Sequence, residues 1–372
     1  MRISTATGLA SLAMGTLAAL ASPAAAEPEY VEDLEDPGLA IAVDAEIFAG
    51  GAYEHTAADD ATAFDLDRGE VGTRLAYGDD LTAELRLETV RPTPAPGTLD
   101  PEAGSLIVRA KRAWLSWRGH PHGPVRFELR GGLMPDAWIE AVESGYDLRA
   151  LRATIGEATG LVEPSDLGLG GVMTSRFVRL EVAVTNGEGR AQMEQNDGKD
   201  VSGVLSFRMP RLGRNLSLAA HLYGRAGSVG ADAARDHRLG MAVTVASPKY
   251  GGGTEWIDAW GAGDDPDVTG FVASWWAYGN VTRTSGVAGR VDLLSSRSTI
   301  DDRHGSEVVT TLALWRDLVP HGNASIRNFG VRAYLAAQLD RIPDLPATLP
   351  EASMVDATRV MLILSATAHE DI

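Results

Sequence analysis

The sequence predicts an all-β fold: a transmembrane antiparallel β-barrel of about sixteen strands. Three observations point there. Apolar and polar residues alternate with period two in about sixteen segments, each of roughly ten positions, between Leu39 and Asp371. The gaps between those segments are alternately short and long. After the first residues, no stretch approaches the roughly 20 continuous apolar residues of a membrane helix.

The N-terminus reads as a removable leader. Arg2 gives a positive start, Gly8 to Ala21 is a charge-free apolar run, and Ala24-Ala25-Ala26 supplies small residues just before Glu27 and Glu29. This is a secretory signal peptide over 1–26. A short periplasmic segment at 27–38 then leads into the barrel at 39–372.

The alternation is clean where it can be followed. In Leu81–Glu88, Leu81, Ala83, Leu85 and Leu87 oppose Thr82, Glu84, Arg86 and Glu88. Val178, Leu180, Val182 and Val184 oppose Arg179 and Glu181, and Leu216, Leu218, Ala220 and Leu222 oppose His221, Tyr223 and Arg225. Successive strand side chains face opposite sides, so each segment has one apolar and one charged face. A length of about ten residues suits a tilted membrane crossing, whereas soluble sandwich strands average five or six.

The gaps after even-numbered segments are short: Gly78-Asp79, Arg118–Pro124, Ser175-Arg176, Pro210–Arg214 and Ser247–Gly252. Those after odd-numbered segments are mostly longer and more acidic: Glu54–Ala61, Pro92–Gly104, Met134–Leu167, Gly187–Gly198, Ala226–Arg235 and Ile342–Val355. Barrels of this kind carry short turns on one rim and long loops on the other. Tryptophans 114, 117, 256, 260, 275, 276 and 315 lie near the expected strand ends, where interfacial girdles belong.

Met134–Leu167 is the longest gap and holds the helical pattern, with helix formers over Ala137–Glu143 and Asp147–Arg152. It is too rich in Trp, Ile, Leu and Val for a disordered linker. Two placements are open: folded into the lumen as a constriction, or packed as a lid on the outer rim.

Gly132-Leu133-Met134-Pro135, Glu140 to Ser144 and Glu163-Pro164-Ser165-Asp166-Leu167-Gly168 resemble the phosphate-selective porin O/P family. A second block agrees, from Val182 through Thr185-Asn186-Gly187-Glu188-Gly189 and Lys199-Asp200-Val201 to Ser206-Phe207-Arg208-Met209-Pro210. Met134 and Ser165 stand where the family commonly carries basic residues. The resemblance implies a sixteen-stranded, usually trimeric barrel with an inward-folded third loop, passing anions such as phosphate.

Charge bears on selectivity. The chain has 33 Lys and Arg against 51 Asp and Glu, a net charge of −18, and no Cys. Such an acidic chain argues against nucleic-acid binding, and the missing Cys excludes disulfides and thiolate chemistry. The third gap alone holds Asp136, Glu140, Glu143, Asp147, Glu157, Glu163 and Asp166 against Arg149 and Arg152. Rings of Arg and Lys favour anions and rings of Asp and Glu favour cations. The pore-lining candidates are Arg86, Arg109, Lys111, Arg126, Arg130, Arg179 and Arg225; the constriction candidates are Asp136, Glu140, Glu143, Arg149 and Arg152. The competing reading is that pairs such as Arg86 with Glu84 and Glu88 merely neutralise one another across the wall.

Nucleophile elbows, phosphate-binding Gly-rich loops and zinc-protease motifs are absent from the sequence, so neither enzyme activity nor a cofactor or metal is expected. The function that follows is an outer-membrane channel for small hydrophilic solutes or ions. Its expected partners are the lipid bilayer, lipopolysaccharide, the solutes and, from the resemblance, two further copies in a trimer. The alternative is a secreted, soluble β-protein that binds or cleaves glycans; it would bury the apolar face that a porin turns outward.

Overall fold

Alternation becomes strand wherever the sequence offers it. A computed structural model describes residues 38–371 apart from 57–58, 91–105, 120–123, 188, 191–196, 213–214, 230–233, 263–264, 299–303, 320–328 and 345–355. The expected signal peptide and all of the 27–38 segment except Gly38 lie outside the described residues. In chain order the first elements are β1 (Leu39–Thr56), β2 (Asp60–Tyr77), β3 (Leu81–Val90), β4 (Ile107–Gly119), β5 (Arg126–Pro135), α1 (Ala137–Glu143), α2 (Ile155–Ala158), β6 (Ser165–Thr174), β7 (Val178–Thr185), β8 (Asp200–Leu212) and β9 (Leu216–Ala226). There follow β10 (Ser228–Val229), β11 (Ala234–Arg235), β12 (His237–Ala246), β13 (Tyr250–Ala262), β14 (Asp265–Asn280), β15 (Ser285–Ser298), β16 (His304–Val319), β17 (Gly330–Asp344) and β18 (Ala357–Asp371).

Every strand except the β10–β11 ribbon pairs antiparallel with its neighbours, and β1 joins β18, so the sheet closes into a sixteen-stranded barrel. Closure removes the edge that an open sheet would leave unpaired. The predicted facing holds. Leu85, Leu115, Leu129, Leu222, Met241, Leu312, Leu335 and Leu362 are exposed on the outer surface. Glu84, Arg290, Thr311 and Gln338 are buried from solvent on the inner one. An exposed apolar surface all round a barrel matches a lipid belt, because water would leave that area uncovered.

Short and long connections alternate as expected from β2 as far as β13, with turns at 78–80, 175–177 and 247–249 and long gaps at 91–106, 136–164 and 186–199. The gap expected at Glu54–Ala61 shrinks to 57–59, because β1 and β2 each run for 18 residues. At about 3.3 Å per residue these strands are far longer than a bilayer crossing, so their ends stand clear of it. The β13–β14 connection is likewise only 263–264.

Two expectations are corrected. Asp147–Arg152 is not helical: it forms turns, with the Leu151 and Arg152 N–H groups both donating to the Leu148 carbonyl, and the second helix lies instead at α2. Leu148 and Ala150 are buried while Arg149 and Arg152 reach wall acids, so tertiary contacts override helix propensity there. The tryptophans also divide. Trp117, Trp256, Trp260 and Trp275 are exposed on the outer face, but Trp114, Trp276 and Trp315 are buried inside the barrel. Strand parity, not nearness to a strand end, decides which way each points.

Candidate functional site in the barrel lumen

The loop from Asp136 to Pro164 starts and ends on one rim, closed at its base by the Asp136 N–H donating to the Pro164 carbonyl (3.0 Å). It folds into the lumen rather than over the rim. Asp136 begins α1 by accepting from the N–H groups of Trp138 (2.7 Å) and Ile139 (3.4 Å), the usual N-cap arrangement. Seven residues make about two amphipathic turns: Trp138, Ile139 and Val142 are buried, while Glu140 and Glu143, three apart, share the wetter side.

The apolar side of the loop packs on one half of the wall. Trp138 stacks on Tyr223 with centroids 5.2 Å apart, and Tyr146 meets Trp276 edge-on at 5.1 Å. Ile139, Val142, Leu148, Ile155 and Val162 join Val204, Ile257, Val272 and Ala336 in one cluster, and Ala150 enters a second with Phe48, Trp315, Tyr334 and Ile363. Polar anchors fix the register. Glu255 accepts from the Trp138 indole (2.8 Å) and from the Ile155 N–H (3.0 Å). Arg290 donates to the Tyr146 hydroxyl and to the Ala153 carbonyl (2.5 Å), and Arg238 to the Leu161 carbonyl (3.0 Å). Gly156 sits close against the wall: a Cβ there would lie 2.9 Å from the Ile257 Cδ1, which would have to shift.

The loop's other side meets a charged wall. Arg130 pairs with Glu128 (2.6 Å), Glu140 (3.1 Å) and Glu181 (3.4 Å), and its guanidinium lies over the Trp114 ring (5.2 Å). Arg179 pairs with Glu181 (2.6 Å) and reaches Glu140 (3.9 Å). Arg149 binds Glu143 (3.0 Å) and approaches Glu70 (3.8 Å) and Glu46 (3.9 Å). Burial works against the Arg149 charge, but these acids outweigh it and hold its pKa above the ordinary arginine value. Arg152 lies 3.5 Å from Asp292.

Between loop and wall is a cavity of about 440 Å³ bordered by six arginines, Arg74, Arg112, Arg130, Arg149, Arg179 and Arg208, against Glu140, Glu143 and Glu181. Ser206 also borders it and is hydrogen-bonded to His221 (2.8 Å). A second cavity of about 350 Å³, bordered by Asp44, Glu46, Arg86 and His369, shares Arg149 with the first. On the long-loop side a narrow space of about 20 Å³ shares Ala137 and Glu181 with the large cavity. Asp136, Glu163, Asp166 and Arg225 border this neck. Burial pushes the Asp136 carboxyl up to about 6, despite the Arg225 charge and the two capping N–H groups, and also raises the pKa of Glu163.

The remaining candidates sit elsewhere on the wall. Arg86 pairs with Asp44 (2.7 Å), Glu70 (3.4 Å) and Glu84 (3.5 Å), while Glu88 belongs instead to Arg109 (2.7 Å) and Arg190 (2.8 Å). The Lys111 ammonium is buried on Glu70 at 2.6 Å and reaches neither cavity. Arg225 is held by Asp200 and by Asp236 near the long-loop rim. Arg126 is exposed at the other rim and borders neither of the two larger cavities. Residue-by-residue reading missed Glu255, Arg290, Arg112 and Arg208. Glu255 had a signal, a lone acid on an inward face otherwise made of Gly253, Ile257 and Ala259.

Among the described residues, no group of three or more His, Asp or Glu is placed to hold a metal ion. No family model and no curated protein matches the chain. Among solved structures it is similar to the anion-selective porin from Comamonas acidovorans, at 14% identity and a TM-score of 0.56 over 90% of this chain and 100% of that one. It is similar also to OmpT, an outer membrane protein of Vibrio cholerae, in its trimer form, at 10% identity and a TM-score of 0.56 over 89% of this chain and 99% of that one. At such identities the likeness establishes architecture alone: a closed sixteen-stranded antiparallel barrel of the fold that those membrane proteins share.

Proposed function

We propose that this chain is an outer-membrane porin, a passive, non-enzymatic channel for small hydrophilic solutes with a preference for anions such as phosphate. One observation carries the preference: six guanidiniums face three carboxylates around the cavity beside the loop. Fixed positive charge in a confined, water-filled space raises the local anion concentration and excludes cations. The likeness to an anion-selective porin and the resemblance of two motif blocks to the phosphate-selective porin O/P family support the same reading. The exposed outer leucines support lipid as the barrel's solvent and speak against a soluble glycan-binding protein.

In this reading the short turns face the periplasm and the long loops, with their acids, face outward near lipopolysaccharide. Residues 1–26 direct export, and three copies assemble, as the trimer form of a similar barrel suggests. The test is the reversal potential of single channels in a planar bilayer under a potassium chloride gradient. Wild type reverses on the anion side. Glu140→Gln, which removes one of three lining acids, moves it further that way, and Arg130→Gln moves it back. A cation-selective wild-type channel overturns the preference; detergent-free, monodisperse protein in the periplasm overturns the porin.

A further inference from the structure

Five of the six arginines around the large cavity are already committed. Arg74 is bound to Glu84 (2.6 Å) and Arg112 lies 3.7 Å from the same acid. Arg130, Arg149 and Arg179 hold the carboxylates described above. Arg208 differs. Among the described residues it forms no ion pair, and its Nε is buried without a hydrogen-bond partner. Its closest charged companion across the β7–β8 pair is Arg179, whose strand partner, Ser206, lies two residues before Arg208 on the same face. A half-buried guanidinium beside another, with Glu140 and Glu181 across the same cavity but no acid in contact and no acceptor for its Nε, is costly unless a counter-charge arrives from outside.

Its height in the barrel is also defined. The Arg208 N–H donates to the Phe177 carbonyl (2.7 Å) in the short turn between β6 and β7, so Arg208 stands at the short-turn rim. At the opposite rim the cations are paired: Arg109 and Arg190 with Glu88, Arg225 with Asp200 and Asp236, and Arg238 with Asp236. The excess positive charge of the lumen is therefore placed off-centre.

We infer that Arg208, with Arg179, forms the solute-selecting site of the channel, where a small oxyanion docks from the short-turn side and supplies the carboxylate or phosphoryl oxygens that the wall withholds. This rests on the anion-channel reading above. The Nη1–H and Nη2–H edge of a planar guanidinium takes two oxygens of one oxyanion in parallel, which chloride cannot match. The channel is then asymmetric: oxyanion block is stronger from the periplasmic side than from the outer one.

The experiment uses single channels of the full mature chain, oriented in a planar bilayer, with millimolar inorganic phosphate added to one side at a time in potassium chloride. Wild type is expected to be anion-selective and to show chloride current reduced more by phosphate at the short-turn mouth. Arg208→Gln is expected to lower the anion-to-cation permeability ratio about two- to threefold and to abolish the sidedness. Arg208→Lys keeps the charge but not the fork, so it retains selectivity and loses phosphate block. Arg316→Gln, exposed on the outer face near the same rim, leaves both unchanged. Each variant is first checked for a heat-modifiable band, and Arg208→Lys serves as the reporter if Arg208→Gln does not assemble. An anion-selective wild type with unaltered selectivity and block in Arg208→Gln, or with undiminished phosphate block in Arg208→Lys, overturns the site alone. A cation-selective wild type overturns the channel reading and the site together.

Discussion

The indole of Trp138 donates to the carboxylate of Glu255 across 117 residues of sequence, at 2.8 Å and out of reach of solvent. The second oxygen of Glu255 takes the Ile155 N–H at the start of α2, so one wall residue holds both helices of the inward loop. The loop is thus part of the barrel's interior and not an appendage resting in it.

Removing that carboxylate strands two buried donors. Glu255→Ala is expected to cost about 2–6 kcal/mol, at roughly 1–3 kcal/mol for each of the two unsatisfied donors. The temperature at which the folded band converts to the unfolded one on a gel should fall, and single-channel current should become larger and noisier as the loop detaches. An unaltered conversion temperature with a quiet, wild-type conductance would show that apolar packing alone holds the loop.

Asp136 gives the neck a pH response with a definite sign. Burial holds its carboxyl up at about 6 against an ordinary 3.8, so across that interval the folded protein keeps a proton that the unfolded chain has released. Stability contributed by this group therefore declines as pH rises from 3.8 to about 6, by up to about 3 kcal/mol. Above that interval the neck carries one more negative charge. Anion permeability should step down as pH rises through about 6 in wild type. Asp136→Asn keeps the helix cap and should lack this step, and the difference between the two titrations isolates the residue.

The outer surface makes its own prediction. Leu222 is half exposed near the middle of β9, on the face opposite His221 and Tyr223. Leu222→Arg should destabilise folding into lipid vesicles by about 2–4 kcal/mol, the range for a cation at the bilayer midplane. Equal folding yield and urea midpoint for the two proteins would mean that this face does not meet hydrocarbon.

The barrel was readable from the sequence because each strand repeats a two-residue signal many times, and any one slip would turn leucines inward. Leu85 and Arg86 needed no partner to reveal their sides. The loop was less legible for the opposite reason. Asp147–Arg152 has helix-forming residues, yet Leu148 and Ala150 bind apolar wall positions from strands far apart in sequence, which no local pattern encodes. Trp114, Trp276 and Trp315 misled because nearness to a strand end was weighed above parity. Arg208 falls inside a resemblance block, yet nothing in the sequence marks its role: what sets it apart from Arg179 is the ion pair that Arg179 makes with Glu181 and Arg208 does not.

The first helix of the loop divides its labour by side. Its greasy flank is committed to the barrel, whereas Glu140 and Glu143 border the large cavity and pair with Arg130 and Arg149. Two side chains thus carry this helix's share of the cavity's charge, on the flank that the apolar packing leaves open. In the channel proposed above, exchanging them retunes the charge of the aperture while the apolar flank that anchors the loop stays as it is.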